Sequence, residues 1–393
     1  PSDCNGQSGF DIVIGNPPYF QMPKGVVSLS LYPYSEGKDK GKQNIYKLFV
    51  EQSYNLLKGN GVGCLITQSS LLCDISAQYT RELLLIENTI HQVIEFPKVA
   101  PHKDGQLFKD ALVATCITLF QKAKPSSEHE FLISSGNDLT TLNQFDFASI
   151  KQSLPISFYP NGFCLPLVRG DDFTVVEKMN SSSIFLKEFI ETSSQGDLNL
   201  TSEKGVFSTL KSSVKMYRGC NVHRYHIDDN VSEYIQNGYK GSLVDKNLHT
   251  AFLVCQQISG MTDKNRFNVA LSTQKRCLYG NSVNKISIKG LDAKYILAIL
   301  NSKAIDWYFR KTSTNNHINI YELEQLPIPI PNEAQTDEVV SLVDAIMAAK
   351  LQSLQSEANS LENKLDILIY SLFGFTKRET QIVEGLFPRR DSI

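Results

Sequence analysis

From the N-terminus to about residue 125 the chain alternates two hydrophobic patterns. Short apolar runs bounded by turn residues read as buried strands at Phe10-Asp11-Ile12-Val13-Ile14, stopping at Gly15, and at Val62–Thr67, Thr89–Phe96 and Ala111–Phe120. Between them Gln43–Leu57 puts Tyr46, Phe49, Val50, Tyr54 and Leu57 on one side of a helix, which Gly59-Asn60-Gly61 should end because both residue types tolerate a left-handed C-terminus. A second helix is expected near Ala77–Ile86. Strand, helix, strand, helix, strand and a hairpin-like last strand predict part of a doubly wound α/β sheet.

The polar stretch Lys122-Ala-Lys-Pro-Ser-Ser-Glu-His-Glu130 reads as a domain edge. Beyond it the periodicity is short and mixed, with turn signals at Asn161-Gly162, Asn237-Gly238 and Gly280-Asn281, which predicts an α+β or β-rich domain. Leu326-Pro-Ile-Pro-Ile-Pro331 must be extended, since alternating prolines remove donors and push their predecessors out of the helical region. Met347, Leu351, Leu354, Ala358, Leu361, Leu365, Leu368 and Leu372 then recur at 4,3 spacing, a seam along one long helix from about Thr336 to Phe373, stopped by Gly374. Such a seam serves a spacer or homodimer helix, or packs on its own domain; the pattern fits both. The expected division is 1–125, 126–183 as a connecting segment, 184–332, and 333–393.

Apolar residues make up 41% and charged residues 20% of 393, so neither a disordered tail nor a fibrous repeat fits. A net charge of -2 excludes a uniformly basic nucleic-acid coat but leaves room for a local basic face. The longest apolar run, Ala111–Phe120, is far short of a membrane span, and the first residues lack the basic and apolar regions of a secretory signal. Eight scattered cysteines without a C-x-x-C pair read as reduced core thiols of a cytoplasmic protein. Position 1 is Pro, which suits a trimmed initiator or a piece of a longer chain.

Asn16-Pro17-Pro18-Tyr19 directly follows the first strand. Loops at the carboxyl ends of strands in open α/β sheets build ligand sites. The two prolines fix the loop and remove two donors, so the Asn16 side-chain oxygen and the Pro17 carbonyl can both accept from one amino group. The exocyclic amine of a nucleobase supplies two such hydrogens. Its lone pair is delocalised into the ring, and an acceptor pair that draws it toward tetrahedral geometry makes it a better nucleophile. Tyr19 offers a ring for a flipped base, worth about 1–3 kcal/mol of stacking. Taken as four residues alone, the string would be a turn.

In its context, FDIVIGNPPYF, the segment resembles the catalytic loop of DNA amino-methyltransferases of the adenine N6 class. Asn44–Glu51 followed by Leu56–Gly61 is similar to the next helix and strand of that family, and Gln106-Leu-Phe-Lys-Asp-Ala111 to the segment whose phenylalanine packs the other face of the extruded adenine. The resemblance implies that Phe108 and Tyr19 sandwich the base, and that the cofactor is S-adenosyl-L-methionine. Tyr217-Arg-Gly-Cys-Asn-Val-His-Arg-Tyr225 is similar to a segment of target-recognition domains in fused restriction-modification enzymes, and Ala298–Lys303, the LPIPIP segment and Leu365–Gly374 to the C-terminal part of type IIG enzymes. The implied protein is a site-specific adenine methyltransferase of a prokaryotic restriction-modification or phage-defence system, acting on double-stranded DNA. It would be an α/β methyltransferase half, an α+β target-recognition domain and a long C-terminal helix.

The departure from the family is on the N-terminal side. Only fifteen residues precede Asn16, with no glycine-rich turn following a strand and no nuclease, so the chain is expected to be a fragment, inactive alone. No cofactor-binding residue can be named, and Mg²⁺ is expected only where a nuclease lies upstream. Lys204, Lys211, Lys215, Arg218, Arg224, Lys264, Arg266, Lys275 and Arg276, interleaved with Tyr217, Tyr225 and Phe267, form a solvated face or contact DNA. His223, His226, Asp228 and Asp229 have loosely metal-like spacing and read as a surface cluster, not a metal site. The rival reading is a non-catalytic specificity subunit resembling those of type I systems; a degenerate, structural methyltransferase is a third.

Overall fold

The structure, a computed structural model, describes residues 8–23, 29–35, 44–98, 107–108, 113–142, 144–209, 211, 214–236, 239–240, 242–244, 247, 251–260, 263–272 and 276–386. The Asn237-Gly238 turn, Lys275, and all of the 106–111 segment except Leu107 and Phe108 lie outside them. Two compact units form. The first runs to Val176 and takes in Lys311–Thr314; the second is Glu177–Arg310 and Asn315–Phe387.

The first unit is a six-stranded mixed sheet. Its strands are β1 (Phe10–Gly15), β2 (Leu57–Gln68), β3 (Thr89–Phe96), β4 (Thr115–Gln121), β5 (Glu130–Ser134) and β6 (Ala148–Lys151), in the order β1-β2-β4-β3-β5-β6. Helix α1 (Ile45–Leu56) makes the crossover between parallel β1 and β2, and α2 (Gln78–Ile86) precedes β3. From Gly61 onward every second residue of β2 is buried, Gly61, Gly63, Leu65 and Thr67, the period-2 pattern of a sheet strand. Asn44 caps α1 by accepting from the Tyr46 amide, the signal expected at a helix start.

Two expectations fail here. Gly59-Asn60-Gly61 does not end α1, which stops at Leu56 and passes straight into β2. The triplet is instead an irregularity inside the strand: Phe10 pairs with Leu57 and Ile12 with Val62, and Asn60 takes φ +64°. A side chain at Gly61 would stand 2.8 Å from the Phe10 carbonyl oxygen. The polar stretch 122–130 is not a domain edge either, because β5 and β6 continue the same sheet beyond it, β5 pairing parallel with β3.

The second unit is α+β. Strands β7 (Ser183–Phe185), β8 (Ile190–Gln195), β9 (Phe207–Ser208), β10 (Lys215–Tyr217), β11 (Val222–His223), β12 (His226–Ile227), β13 (Tyr234–Ile235), β14 (Phe252–Gln256), β15 (Val269–Ser272), β16 (Cys277–Tyr279), β17 (Val283–Ile288) and β18 (Pro327–Pro329) make two four-stranded sheets, β15-β14-β17-β8 and β16-β10-β13-β9, and two pairs, β11-β12 and β18-β7. The proline segment is extended and has one partner strand, as missing donors require. Tyr217, Val222, Phe252, Val254, Tyr279 and Val283 pack into one core. Beside it Lys285 and Asp197, both almost fully buried, form an ion pair at 2.7 Å.

The single long helix is also overturned. The seam is split into α4 (Glu333–Leu351) and α5 (Gln355–Leu372), packed on each other, with α3 (Ala293–Asn301) against α4. Ser353 breaks it at φ +59°, and Leu351 and Leu354 stand exposed at the turn. Val339, Val343 and Ile346 of α4 and Ala358, Leu365 and Ile369 of α5 are buried, so of the predicted seam only Ala358 and Leu365 enter the core, and a homodimer through one long helix loses its premise. Gly374, at φ +68°, follows the end of α5 as expected. No described helix is long and apolar enough to cross a membrane.

Candidate active site and recognition unit

The loop Asn16–Tyr19 leaves the C-terminal end of β1, where Gly15 pairs with Leu65 of β2. That register brings Tyr19 beside the next residue of β2. Its hydroxyl stands 3.0 Å from Oδ1 of Asn16 and 3.1 Å from the carbonyl oxygen of Ile66. Pro17 is buried and anchors the loop, while Asn16 and Pro18 are exposed. Burial, with the Cys116 thiol as a smaller influence, pushes the Tyr19 hydroxyl up to about 12, so it stays a donor at neutral pH. Cys116 is itself buried and pushed up to about 12.

Phe108 is brought to Tyr19, with ring centroids 6.4 Å apart and planes at 69°. This is an edge-to-face contact. A base held between two faces needs near-parallel rings, so one of the two must turn to admit it.

The supports of the loop were not singled out in the sequence. Glu51, buried in α1, accepts from the amide and hydroxyl of Ser35 at 2.8 and 2.6 Å and from the Tyr34 amide at 3.2 Å, which ties down the chain beyond the loop. Lys47, one turn earlier, donates to the Ser76 carbonyl at 2.6 Å. Asn44 donates from Nδ2 to Gln68 at the end of β2, 2.8 Å away. Arg81, fully buried, donates to the carbonyls of Leu71, Asp74 and Gly162. Charged residues spaced four apart on a helix read as a solvated face; the only hint was Lys47 and Glu51 falling within the apolar stripe. Glu95 on β3 is buried, accepts from the Gly136 amide at 2.8 Å and is pushed up to about 7 by desolvation.

Residues 2–101 match the Eco57I restriction-modification methylase family, and residues 214–328 match the TaqI-like C-terminal specificity domain. The matched stretches are thus methylase-like at 2–101 and similar to a specificity domain at 214–328. A Methanocaldococcus jannaschii protein named as a type II restriction enzyme and methyltransferase is 23% identical over 398 aligned positions, which cover 93% of this chain and 31% of that protein. The structure of MmeI, a type IIL restriction-modification enzyme solved in complex with DNA, superposes with a TM-score of 0.60 and 15% identity, over 94% of this chain and 55% of MmeI; at that identity the likeness shows the fold. The type IIG restriction endonuclease BpuSI is also similar, with a TM-score of 0.36 and 13% identity, over 92% of this chain and 54% of BpuSI. The chain thus spans about a third of the curated relative and about half of these enzymes.

Among its described residues the methylase-like segment does not complete a cofactor pocket. β1 is an edge strand whose Phe10, Ile12 and Ile14 are exposed, and among the described residues no strand or glycine-rich turn lies along its free edge. The donor set for S-adenosylmethionine is therefore incomplete in these residues, and no chemical step is assigned to the cofactor.

In the specificity domain the expected basic residues separate into two groups. Lys211, Lys264 and Arg276 are exposed. Arg218 grips Glu233 through Nε at 2.6 Å and Nη2 at 3.0 Å while remaining partly exposed, and Lys215 pairs with Asp229. Arg266 is wholly buried, donating to the Ser259 hydroxyl at 3.1 Å and the Asn315 carbonyl at 2.6 Å, and so is a core residue, not a DNA contact. Arg224 is largely buried, with Nε and Nη2 on one oxygen of Glu362. His223 and His226 stack with ring centroids 6.2 Å apart, and among the described residues no group of three His, Cys, Asp or Glu side chains could hold a metal ion.

Proposed function

We propose that this chain is the target-base and target-recognition part of a site-specific DNA methyltransferase that modifies N6 of adenine, in a restriction-modification or phage-defence system of a prokaryotic cytoplasm. The observation that carries the reading is the position of Asn16 and Pro17 at the carboxyl end of β1, with Tyr19 pinned beside them through Ile66. An extruded adenine stacks on Tyr19, and its amine donates to Asn16 Oδ1 and the Pro17 carbonyl, which localises the nitrogen lone pair. Phe108 closes on the opposite face. S-adenosyl-L-methionine supplies an electrophilic methyl group when bound, and its pocket is completed by a segment laid along the free edge of β1. The exposed apolar residues of that strand support this, because a parallel strand is normally covered on both faces.

The specificity domain follows the duplex, with Lys211, Arg218, Lys264, Lys275 and Arg276 as candidates for phosphate contacts. A fused endonuclease in the parent protein would bring the only Mg²⁺ requirement. In the methylation-competent parent, Asn16→Ala should abolish transfer to adenine while leaving DNA binding intact; retained turnover overturns the assignment.

A further inference from the structure

Behind the β11-β12 hairpin of the second unit lies a cavity of about 450 Å³, lined by His223, Arg224, His226, Asn268, Lys350 and the α4-α5 turn. Arg224 and Lys350 share a single carboxylate, Glu362, which takes Arg224 on one oxygen and Lys350 on the other at 2.8 Å. Asp366, buried and accepting from the Lys303 amide at 2.9 Å, is the other carboxylate facing Arg224. The Nη1 group of Arg224 has no acceptor among the described residues, and the Lys350 ammonium has only Glu362 for its three hydrogens. The two imidazoles stand side by side on the facing strands, His223 paired with His226. These are the donors a tetrahedral oxyanion takes: a planar guanidinium, an ammonium and ring N–H groups.

We propose that this cavity is a phosphate-binding site, in which Arg224, Lys350, His223 and His226 hold the oxygens of one phosphate group, free or within a nucleic-acid backbone. The surroundings of His226 fit a protonated ring paired with an anion. His226 is held below its ordinary value by burial, His223 and Lys350, with Asp228 opposing. A bound phosphate reverses the balance by pairing with the protonated ring.

Of the seven histidines, only His223 and His226 should respond. The whole chain is titrated with inorganic phosphate against sodium chloride of equal ionic strength, and the imidazole Cε1 resonances are followed by NMR. Saturable shifts confined to these two, with the His226 pKa rising, are the expected result. Lys350→Gln should weaken phosphate about tenfold, as loss of one charge-assisted contact does, and His226→Gln should do so without touching the Arg224–Glu362 pair. A short DNA duplex that moves the same resonances and is displaced by phosphate identifies the backbone as the source; response to free phosphate alone identifies a soluble anion. No response of the pair to either ligand, or equal drift of all histidines, overturns the proposal. Because inorganic phosphate needs no methyl transfer, that failure leaves the methyltransferase reading untouched.

Discussion

The Tyr19 hydroxyl and Asn16 Oδ1 lie 3.0 Å apart, and the same hydroxyl is 3.1 Å from the Ile66 carbonyl. One proton serves both acceptors, so Tyr19 fixes the Asn16 amide while its own ring is held by β2. Tyr19→Phe keeps the ring and loses one shared hydrogen bond, worth about 1 kcal/mol, and should slow methylation by the parent enzyme about fivefold. Tyr19→Ala also removes the stacking face, about 1–3 kcal/mol, and should cost on the order of tenfold to a hundredfold more. Single-turnover rates separate the two, and equal losses would locate the role in the hydroxyl alone.

Glu95 makes stability depend on pH. Its folded pKa, about 7, lies above the ordinary 4.5, so the folded state binds the proton more tightly than the unfolded chain. Stability is therefore highest below about pH 4.5 for this group and falls as pH rises toward 7, by at most about 3 kcal/mol. Glu95→Gln keeps an acceptor for the Gly136 amide and should raise the urea midpoint at about pH 8 with little change at about pH 4.5.

The Lys285–Asp197 pair is buried on both sides, and Asp197 also accepts from the Tyr279 amide. Asp197→Ala strands the ammonium in the core and should cost about 3–5 kcal/mol. Lys285→Met combined with Asp197→Ala should recover part of the loss. Urea unfolding at unchanged m-value is the measurement.

Arg266 and Lys264 are two residues apart and should behave oppositely. Arg266→Ala leaves the Asn315 carbonyl and Ser259 hydroxyl without their donor in the core, and should lower the melting temperature of the chain. Lys264→Ala, on the surface, should leave melting unchanged and reduce the salt dependence of DNA binding by about one ion. A stable Arg266→Ala protein with weakened DNA binding would return Arg266 to the interface.

Ser353 holds the α4-α5 turn at positive φ. Ser353→Gly should stabilise the unit by a few tenths to about 1 kcal/mol, because glycine reaches that conformation without steric cost. Thermal unfolding of the pair of proteins checks it.

What the sequence determined by itself is local. Strand and helix periods placed β1, α1, α2 and β3 within a few residues, since the side-chain period reports the backbone of its own segment. The chemistry of Asn16-Pro17-Pro18-Tyr19 was legible for the same reason: two prolines and an asparagine constrain one short loop wherever it lies. Tertiary structure decided whatever depends on a distant partner. Glu362 meets Arg224 across 138 positions, and nothing in the spacing around Arg224 announces that partner. The 4,3 seam runs on through the turn in the sequence, so periodicity read one helix where Ser353 makes two; α4 instead buries Val339, Val343, Ile346 and Ala349, a different line of residues. β5 and β6 look like the start of a new domain until their backbone donors and acceptors find β3, since hydrogen-bond partners across a sheet leave no mark on the intervening sequence.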